Sequence, residues 1–86
     1  MILKQGFLLR DVAGQTVVIP VGETVDLNTI ITLNETGKFL WQQLETEKDE
    51  AQLTAALLAE YDVDEETAKA HVAAFVDRLR KNELLA

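Results

Sequence analysis

The sequence of 86 residues contains no cysteine and no serine. Without cysteine there can be no disulfide bond, no thiolate nucleophile and no zinc site with sulfur ligands. Without serine, threonine is the remaining aliphatic hydroxyl nucleophile, and it seldom serves without a nearby base. A chain free of cysteine fits the reducing cytoplasm, where we expect this protein to reside.

Long apolar runs are absent from the N-terminal segment. Residues 1–14 contain no apolar run longer than three, and Arg10 and Asp11 interrupt the apolar clusters. A signal peptide or membrane span would need a longer run, so we expect neither a targeting segment nor a membrane partner. The composition shows no break, and a chain this short builds only one hydrophobic core, so residues 1–86 are predicted to form one domain.

Basic charge is scarce, and the formal net charge is -7. Residues 45–66 carry one basic and nine acidic groups, whereas residues 67–86 carry four basic and two acidic groups. A protein that neutralises phosphates needs a positive surface. The acidic middle of the chain therefore disfavours nucleic acid as a partner.

Residues able to carry chemistry are few. His71 is the single histidine, and a zinc site needs three or four ligands at defined spacing, so a partly exposed surface histidine is the simpler interpretation. The acidic run DVDEE, residues 62–66, stands where a helix begins and favours its dipole. It lacks the glycine and terminal glutamate of a calcium loop, and the four glycines are scattered. We expect no enzyme activity, no metal and no cofactor.

The first third of the chain has the residue content of strands. Phe7 to Val12 is predicted to pair with Thr16 to Ile19 in a hairpin, through a turn of Ala13, Gly14 and Gln15. Pro20 has no amide hydrogen, so we expect it at the end or outer edge of its strand.

A third strand is predicted over residues 25–33, because apolar and polar residues alternate there. Ile30 is the exception, an apolar side chain on the polar face. Either Ile30 is exposed, or a bulge or turn near Asn28 shifts the register and buries it.

Three helices follow, each with a start signal. Asn34 caps a helix that runs to about Glu45. Asp49 and Gln52 resemble a capping box that opens a second helix, to about Glu60. The side chains expected to point inward are Leu40, Trp41, Leu44, Leu53, Ala56 and Leu57. Gly37, inside the first helix, suggests close approach of a neighbouring element.

The third helix is the longest, from the cap Asp64 to about Lys81. Its buried stripe consists of Ala68, Val72, Phe75, Val76 and Leu79. At 100° per residue, one flank carries Thr67, His71, Ala74 and Arg78, and the other carries Lys69, Ala73 and Arg80. The elements together predict an α+β domain, similar in content to a winged helix-turn-helix, which offers an open strand edge and a groove beside a helix.

Three short motifs then carry a resemblance. Leu33 to Gly37 reads Leu-Asn-x-Thr-Gly, Trp41 follows four residues after the glycine, and Tyr61 to Asp64 reads Tyr-x-Val-Asp. In this order and spacing the sequence resembles the PqqD family, named for the pyrroloquinoline quinone biosynthesis protein D. The resemblance covers nearly the whole chain, but it does not assign the pathway, because related domains serve many peptide pathways.

The resemblance implies a three-stranded antiparallel sheet packed on three helices and a non-catalytic, chaperone-like function. Members of the family bind the leader of a ribosomally made precursor peptide and deliver it to a radical S-adenosylmethionine (SAM) enzyme. The leader adds as a strand beside the third strand, against the last helix. Carried onto this chain, the contact surface is Thr29, Ile30, Ile31, Thr32, Thr67, His71, Ala74 and Arg78.

Several residues support this surface, each with a plainer alternative. Ile30 would gain a partner, Ala74 would allow close approach, and Arg78 could pair with a leader carboxylate. Equally, Ile30 is ordinary surface, Ala74 a helix former and Arg78 a solvated cation. Two other functions stay open: a winged helix that binds nucleic acid or regulates transcription, with the basic end of the third helix as its contact, and a structural homodimer in which strand edges pair.

Overall fold

Three strands and three helices follow one another in the computed structural model, which describes residues 1–20 and 31–86. The strands are β1 (Phe7–Val12), β2 (Gln15–Pro20) and β3 (Ile31–Leu33). The helices are α1 (Glu35–Gln43), α2 (Glu50–Glu60) and α3 (Glu65–Lys81). The predicted α+β fold, a three-stranded antiparallel sheet followed by three helices, is confirmed.

The β1–β2 hairpin closes through a two-residue loop, because Val12 pairs with Gln15. Ala13 and Gly14 both have positive φ, 51° and 79°, which is the backbone of a tight primed turn and matches the twist of the strands. The predicted turn that included Gln15 is therefore one residue too long, since Gln15 already belongs to β2. Pro20 ends β2, as predicted.

Among the described residues, the sheet has the order β1-β2-β3, so β3 lies at an edge, and its register with β2 is Val18↔Ile31, Val17↔Thr32 and Thr16↔Leu33. Within β3 the predicted alternation is confirmed: Ile31 and Leu33 are buried, and Thr32 is exposed. The rest of the predicted third strand, residues 25–30, lies outside the described residues, and so do both interpretations of Ile30.

All three helix caps occur where the sequence predicts them. Asn34 accepts a hydrogen bond from the Gly37 amide at 2.8 Å, and Asp49 and Gln52 form the full capping box. Asp64 caps α3. A Cβ atom added at Gly37 would lie 3.4 Å from the Leu33 Cβ, so the glycine does permit close approach of a neighbouring strand.

The core lies between the inner face of the sheet and the three helices. Its buried apolar residues are Val18, Ile31, Leu33, Leu40, Trp41, Leu44, Leu53, Leu57, Ala68, Val72, Val76, Leu79 and Leu84. The expected burial of Ala56 and of Phe75 needs correction. Ala56 is only partly buried, and Thr54 is buried instead. Thr54 tolerates burial because its hydroxyl donates to the Glu50 carbonyl at 2.8 Å. Phe75 is half-buried at the margin of the stripe.

The two ends of the chain meet beside the helices, which the sequence pattern did not predict. Leu3 and Leu85 form an isolated antiparallel bridge, and the Lys4 amide donates to the Leu84 carbonyl at 2.8 Å. Leu84 is buried in the core. The segment after α3 is therefore part of the fold and closes the core.

Replacement of Asn34, the N-cap of α1, tests the junction between β3 and α1. Asn34→Ala removes the acceptor of the Gly37 amide, and we expect the free energy of unfolding to fall by about 1 kcal/mol in urea titrations. Asn34→Ser should recover most of the loss because the hydroxyl also caps. Gln42→Ala, which truncates an exposed amide within α1, is the control and should change stability by less than about 0.5 kcal/mol. Equal losses for Asn34→Ala and Asn34→Ser would contradict the capping role.

Candidate functional site

A groove of about 250 Å³ runs between α3 and the corner where β3 passes into α1. Its lining residues come from all three elements: Leu33, Asn34, Thr36, Gly37, Leu40, His71, Ala74, Phe75 and Arg78. The cap at Asn34 turns the chain sharply from β3 into α1, and this turn forms the wall that faces α3. Local capping thus shapes one side of the groove.

The groove has an apolar floor and a polar rim. Leu33 and Leu40 belong to the core, and Phe75 is half-buried beside them. His71 and Arg78 lie seven residues apart on α3, about 10 Å along the helix axis. Of the residues that the structure describes, no aspartate or glutamate lines the groove, although the chain has a net charge of -7. The groove is thus suited to apolar side chains and to negatively charged groups.

The rotation of α3 about its axis brings one flank to the groove. Val72, Val76 and Leu79 are each 1% exposed, and their burial fixes which side of the helix faces the core. His71, Ala74 and Arg78 then project beside the core, and all three are exposed. The predicted flank is therefore present on the surface, next to β3.

Arg78 contacts the edge strand directly. Its Nη2 atom donates a hydrogen bond to the Thr32 carbonyl oxygen at 2.9 Å. Thr32 is the exposed residue of β3 and lies opposite Val17 of β2 in the register of the sheet. This bond spans 46 residues of sequence and joins α3 to the sheet edge.

The structure brings four of the eight predicted site residues together: Thr32, His71, Ala74 and Arg78. Ile31 is 7% exposed with its side chain in the core, and its main chain pairs with Val18 of β2, so it contributes to the site only as part of the edge strand. Thr67 is exposed at the start of α3, outside the groove lining, where its amide donates to Asp64 Oδ1 at 2.7 Å. Thr29 and Ile30 lie outside the described residues.

Sequence reasoning missed the wall opposite α3, formed by the start of α1 with Asn34, Thr36 and Gly37. The sequence does contain one indication of this wall. A glycine in the first turn of a helix marks a place where the surface is open or a neighbour is close. Gly37 has both properties, because it lines the groove and has Leu33 so near that an added Cβ atom would touch it.

The other flank of α3 borders a different groove, of about 600 Å³, against α2. Lys69 and Ala73 line it from α3, and Leu58 lines it from α2. Ala73 and Ala74 are thus neighbours in sequence, both exposed, and they face different grooves.

Neither a metal centre nor a membrane segment is found in the described part of the chain. Within residues 1–20 and 31–86, no group of three or more His, Cys, Asp or Glu side chains is placed to hold a metal ion. In the same residues, no helix combines the length and apolarity that crossing a membrane requires.

Comparison with known proteins gives a family and a fold. Residues 15–85 match the family model described as coenzyme PQQ synthesis protein D (PqqD). No curated protein sequence matches significantly. One similar solved structure is TbiB1 in complex with the TbiA(beta) leader peptide, with 25% identity, a TM-score of 0.76, and coverage of 99% of this chain and 94% of that one. Another is lasso peptide synthetase B1 complexed with the leader peptide, with 23% identity, a TM-score of 0.72, and coverage of 95% and 92%.

The N-cap of α3 predicts that the stability of the fold depends on pH. Hydrogen bonds from Thr67 hold the pKa of Asp64 below its ordinary value of 3.8. A lowered pKa in the folded state stabilises the fold above that ordinary value, and the contribution is lost as pH falls through the folded-state pKa. Asp64→Asn keeps a capping oxygen but loses the charge, so we expect a lower Tm than wild type at neutral pH and a difference that closes in strong acid.

Thermal unfolding between about pH 7 and about pH 2 measures this difference. Asp62→Asn is the matched control, since it removes one carboxylate from the same acidic segment and Asp62 does not cap α3. A Tm difference for Asp64→Asn that stays constant over the whole range would refute the coupling.

Proposed function

Because the chain belongs to the PqqD family, we propose that it is a non-catalytic protein that binds the leader of a ribosomally made precursor peptide and presents it to a radical SAM maturation enzyme. The groove beside the edge of β3 is the observation that carries the proposal. It combines main-chain groups at a strand edge with side chains of a helix flank, which is the arrangement that strand addition uses.

The sheet edge supplies the main-chain part of the proposed binding. Among residues 1–20 and 31–86, β3 pairs with β2 alone, so its second edge faces the groove side of the fold. A guest strand would pair there through main-chain hydrogen bonds, which give affinity without demanding a particular sequence. Neighbouring residues of a strand point their main-chain groups to opposite edges. We therefore assign this contact to Thr32, whose carbonyl accepts from Arg78, and, outside the described residues, to the segment of Thr29 and Ile30, whereas Ile31 pairs with Val18 of β2.

Side chains of α3 supply specificity. His71, Ala74 and Arg78 line the groove, and Thr67 would extend the surface toward the start of the helix. Ala74 lies between the two basic side chains, and its single methyl group leaves room for a guest backbone. The apolar floor of Leu33, Leu40 and Phe75 would receive an apolar side chain of the leader.

The solved relatives support the proposal by analogy. TbiB1 shares the fold over nearly the full length of this chain and was solved with a leader peptide. The small size of the groove and the scarcity of catalytic side chains fit a binding domain that leaves the chemistry to its partner enzyme. Presentation to a radical SAM enzyme, in the cytoplasm, is the step that the family membership suggests.

A pair of matched variants tests the groove. Ala74→Leu fills it with a side chain that suits a helix, whereas Ala73→Leu adds the same group on the opposite flank. The probe is a synthetic leader from the short precursor frame that we expect beside the gene of this chain, and its affinity is measured by calorimetry. We expect Ala74→Leu to lose at least about tenfold in affinity and Ala73→Leu to bind as wild type.

Both alanines are exposed, so circular dichroism should show two folded variants. Amide shift mapping with the same leader should place the largest changes at Thr32 and along the flank of His71 and Ala74. Equal affinities for the two variants, or shifts confined to the α2–α3 groove, would show that this groove is not the peptide site. Maturation of the precursor by the radical SAM enzyme that we expect to be encoded near it should slow for Ala74→Leu and not for Ala73→Leu.

A further inference from the structure

The contact between Arg78 and Thr32 occupies the place that a guest strand would need. The Thr32 carbonyl lies on the edge strand and accepts from Arg78 Nη2 at 2.9 Å. An added strand pairs by donating its own amides to carbonyl groups along that edge. A guest that extends along β3 as far as Thr32 therefore meets the guanidinium of Arg78 first.

The bond from Arg78 to Thr32 uses only a small part of the hydrogen-bonding capacity and charge of a guanidinium. The group has five N–H donors and a full positive charge, and here it donates to a neutral carbonyl. Among residues 1–20 and 31–86, no carboxylate lies within 4.0 Å of Arg78, whereas Lys38, Lys69 and Lys81 each have one. A charge-assisted hydrogen bond to a carboxylate is about twice as strong as a neutral one, and a guanidinium can form two of them in parallel.

The charges around the groove suit a carboxylate, although the protein as a whole is acidic. Arg78 stands at one end of the apolar floor, and the described residues of the lining include no acidic side chain. A carboxylate from a guest would meet a cation there, while the acidic segment 45–66 would repel a carboxylate placed against it. The charge pattern therefore favours an acidic side chain at a single, defined position of the guest.

Displacement of Arg78 has a requirement. A neutral guest that takes the Thr32 carbonyl removes the acceptor of Arg78, and the exposed guanidinium then returns to water without a new partner from the guest. A guest with a carboxylate replaces both bonds, because its amide binds the carbonyl of Thr32 and its carboxylate binds Arg78. Only a guest with a carboxylate therefore gains a charge-assisted bond in exchange for the neutral bond that is lost.

We propose that Arg78 is a latch on the edge of β3, exchanged for a guest amide when an acidic side chain of the guest binds the guanidinium. This inference rests on the proposed peptide-binding function and adds the chemistry of the peptide: an Asp or Glu next to a bulky apolar residue that enters the groove. Arg78 thus favours a guest with an acidic side chain, and it occupies the Thr32 carbonyl when no guest is bound.

Selection from a random peptide library displayed on phage tests this chemistry, and it does not require the sequence of the natural leader. Peptides are selected on the wild-type protein and depleted on Ala74→Leu, so that only groove binders remain. We expect an apolar position and an acidic position at constant spacing. Repeating the selection on Arg78→Ala should retain the apolar position and lose the acidic one.

The exchange itself is tested with one selected peptide and its Glu→Gln analogue, measured by calorimetry. On wild type, we expect the analogue to bind roughly tenfold more weakly or worse. On Arg78→Ala, the two peptides should bind alike, and the Gln peptide should bind at least as tightly as it does to wild type, because the Thr32 carbonyl is free. Arg78→Gln, which keeps the stem, is the second variant should Arg78→Ala fold poorly.

Arg80→Ala is the matched control, because it removes the same charge from the opposite flank of α3. An equal effect of Arg80→Ala would mean that general electrostatic attraction explains the result, and it would overturn the latch. Equal weakening of both peptides by Arg78→Ala would also overturn it. Groove binders with no acidic position would overturn the latch but leave the peptide-binding function in place, whereas the absence of any groove binder would overturn both.

Discussion

The rotation of α3 about its own axis is the constraint on which the rest of the structure depends. Val72, Val76 and Leu79 are almost completely buried in the core, and α3 packs chiefly against α2. Because these three side chains point into the core, His71, Ala74 and Arg78 have to point along the edge of β3, and Lys69 and Ala73 have to point toward α2. One buried stripe thus divides a helix surface into two flanks with different neighbours.

Features with a local cause could be predicted from the sequence. The caps at Asn34, Asp49 and Asp64 are bonds between residues three positions apart, so the residue types alone indicate them. The exposed flank of α3 follows from helical periodicity in the same way. The tight turn at Ala13 and Gly14 was harder, because alanine rarely adopts the positive φ that closes the hairpin in two residues.

Features that join distant parts of the chain had no such signal. The bridge between Leu3 and Leu85, and the wall of the groove at Thr36 and Gly37, depend on how separate elements pack. The bond from Arg78 to the Thr32 carbonyl is of the same kind. Sequence reasoning placed both residues in the site through family resemblance, but it could not show that they contact each other.

The contact between Arg78 and Thr32 also disfavours a homodimer in which the open edges of β3 from two copies would pair. Unpaired strand edges pair with copies of themselves unless something blocks them, and charged side chains at the edge are a common block. Two copies meeting at this edge would each bring Arg78, and neither would bring a carboxylate from the described lining of the groove. Their net charges of -7 add a further repulsion. A foreign strand with one carboxylate meets neither obstacle, so the same residue that disfavours self-association favours the guest.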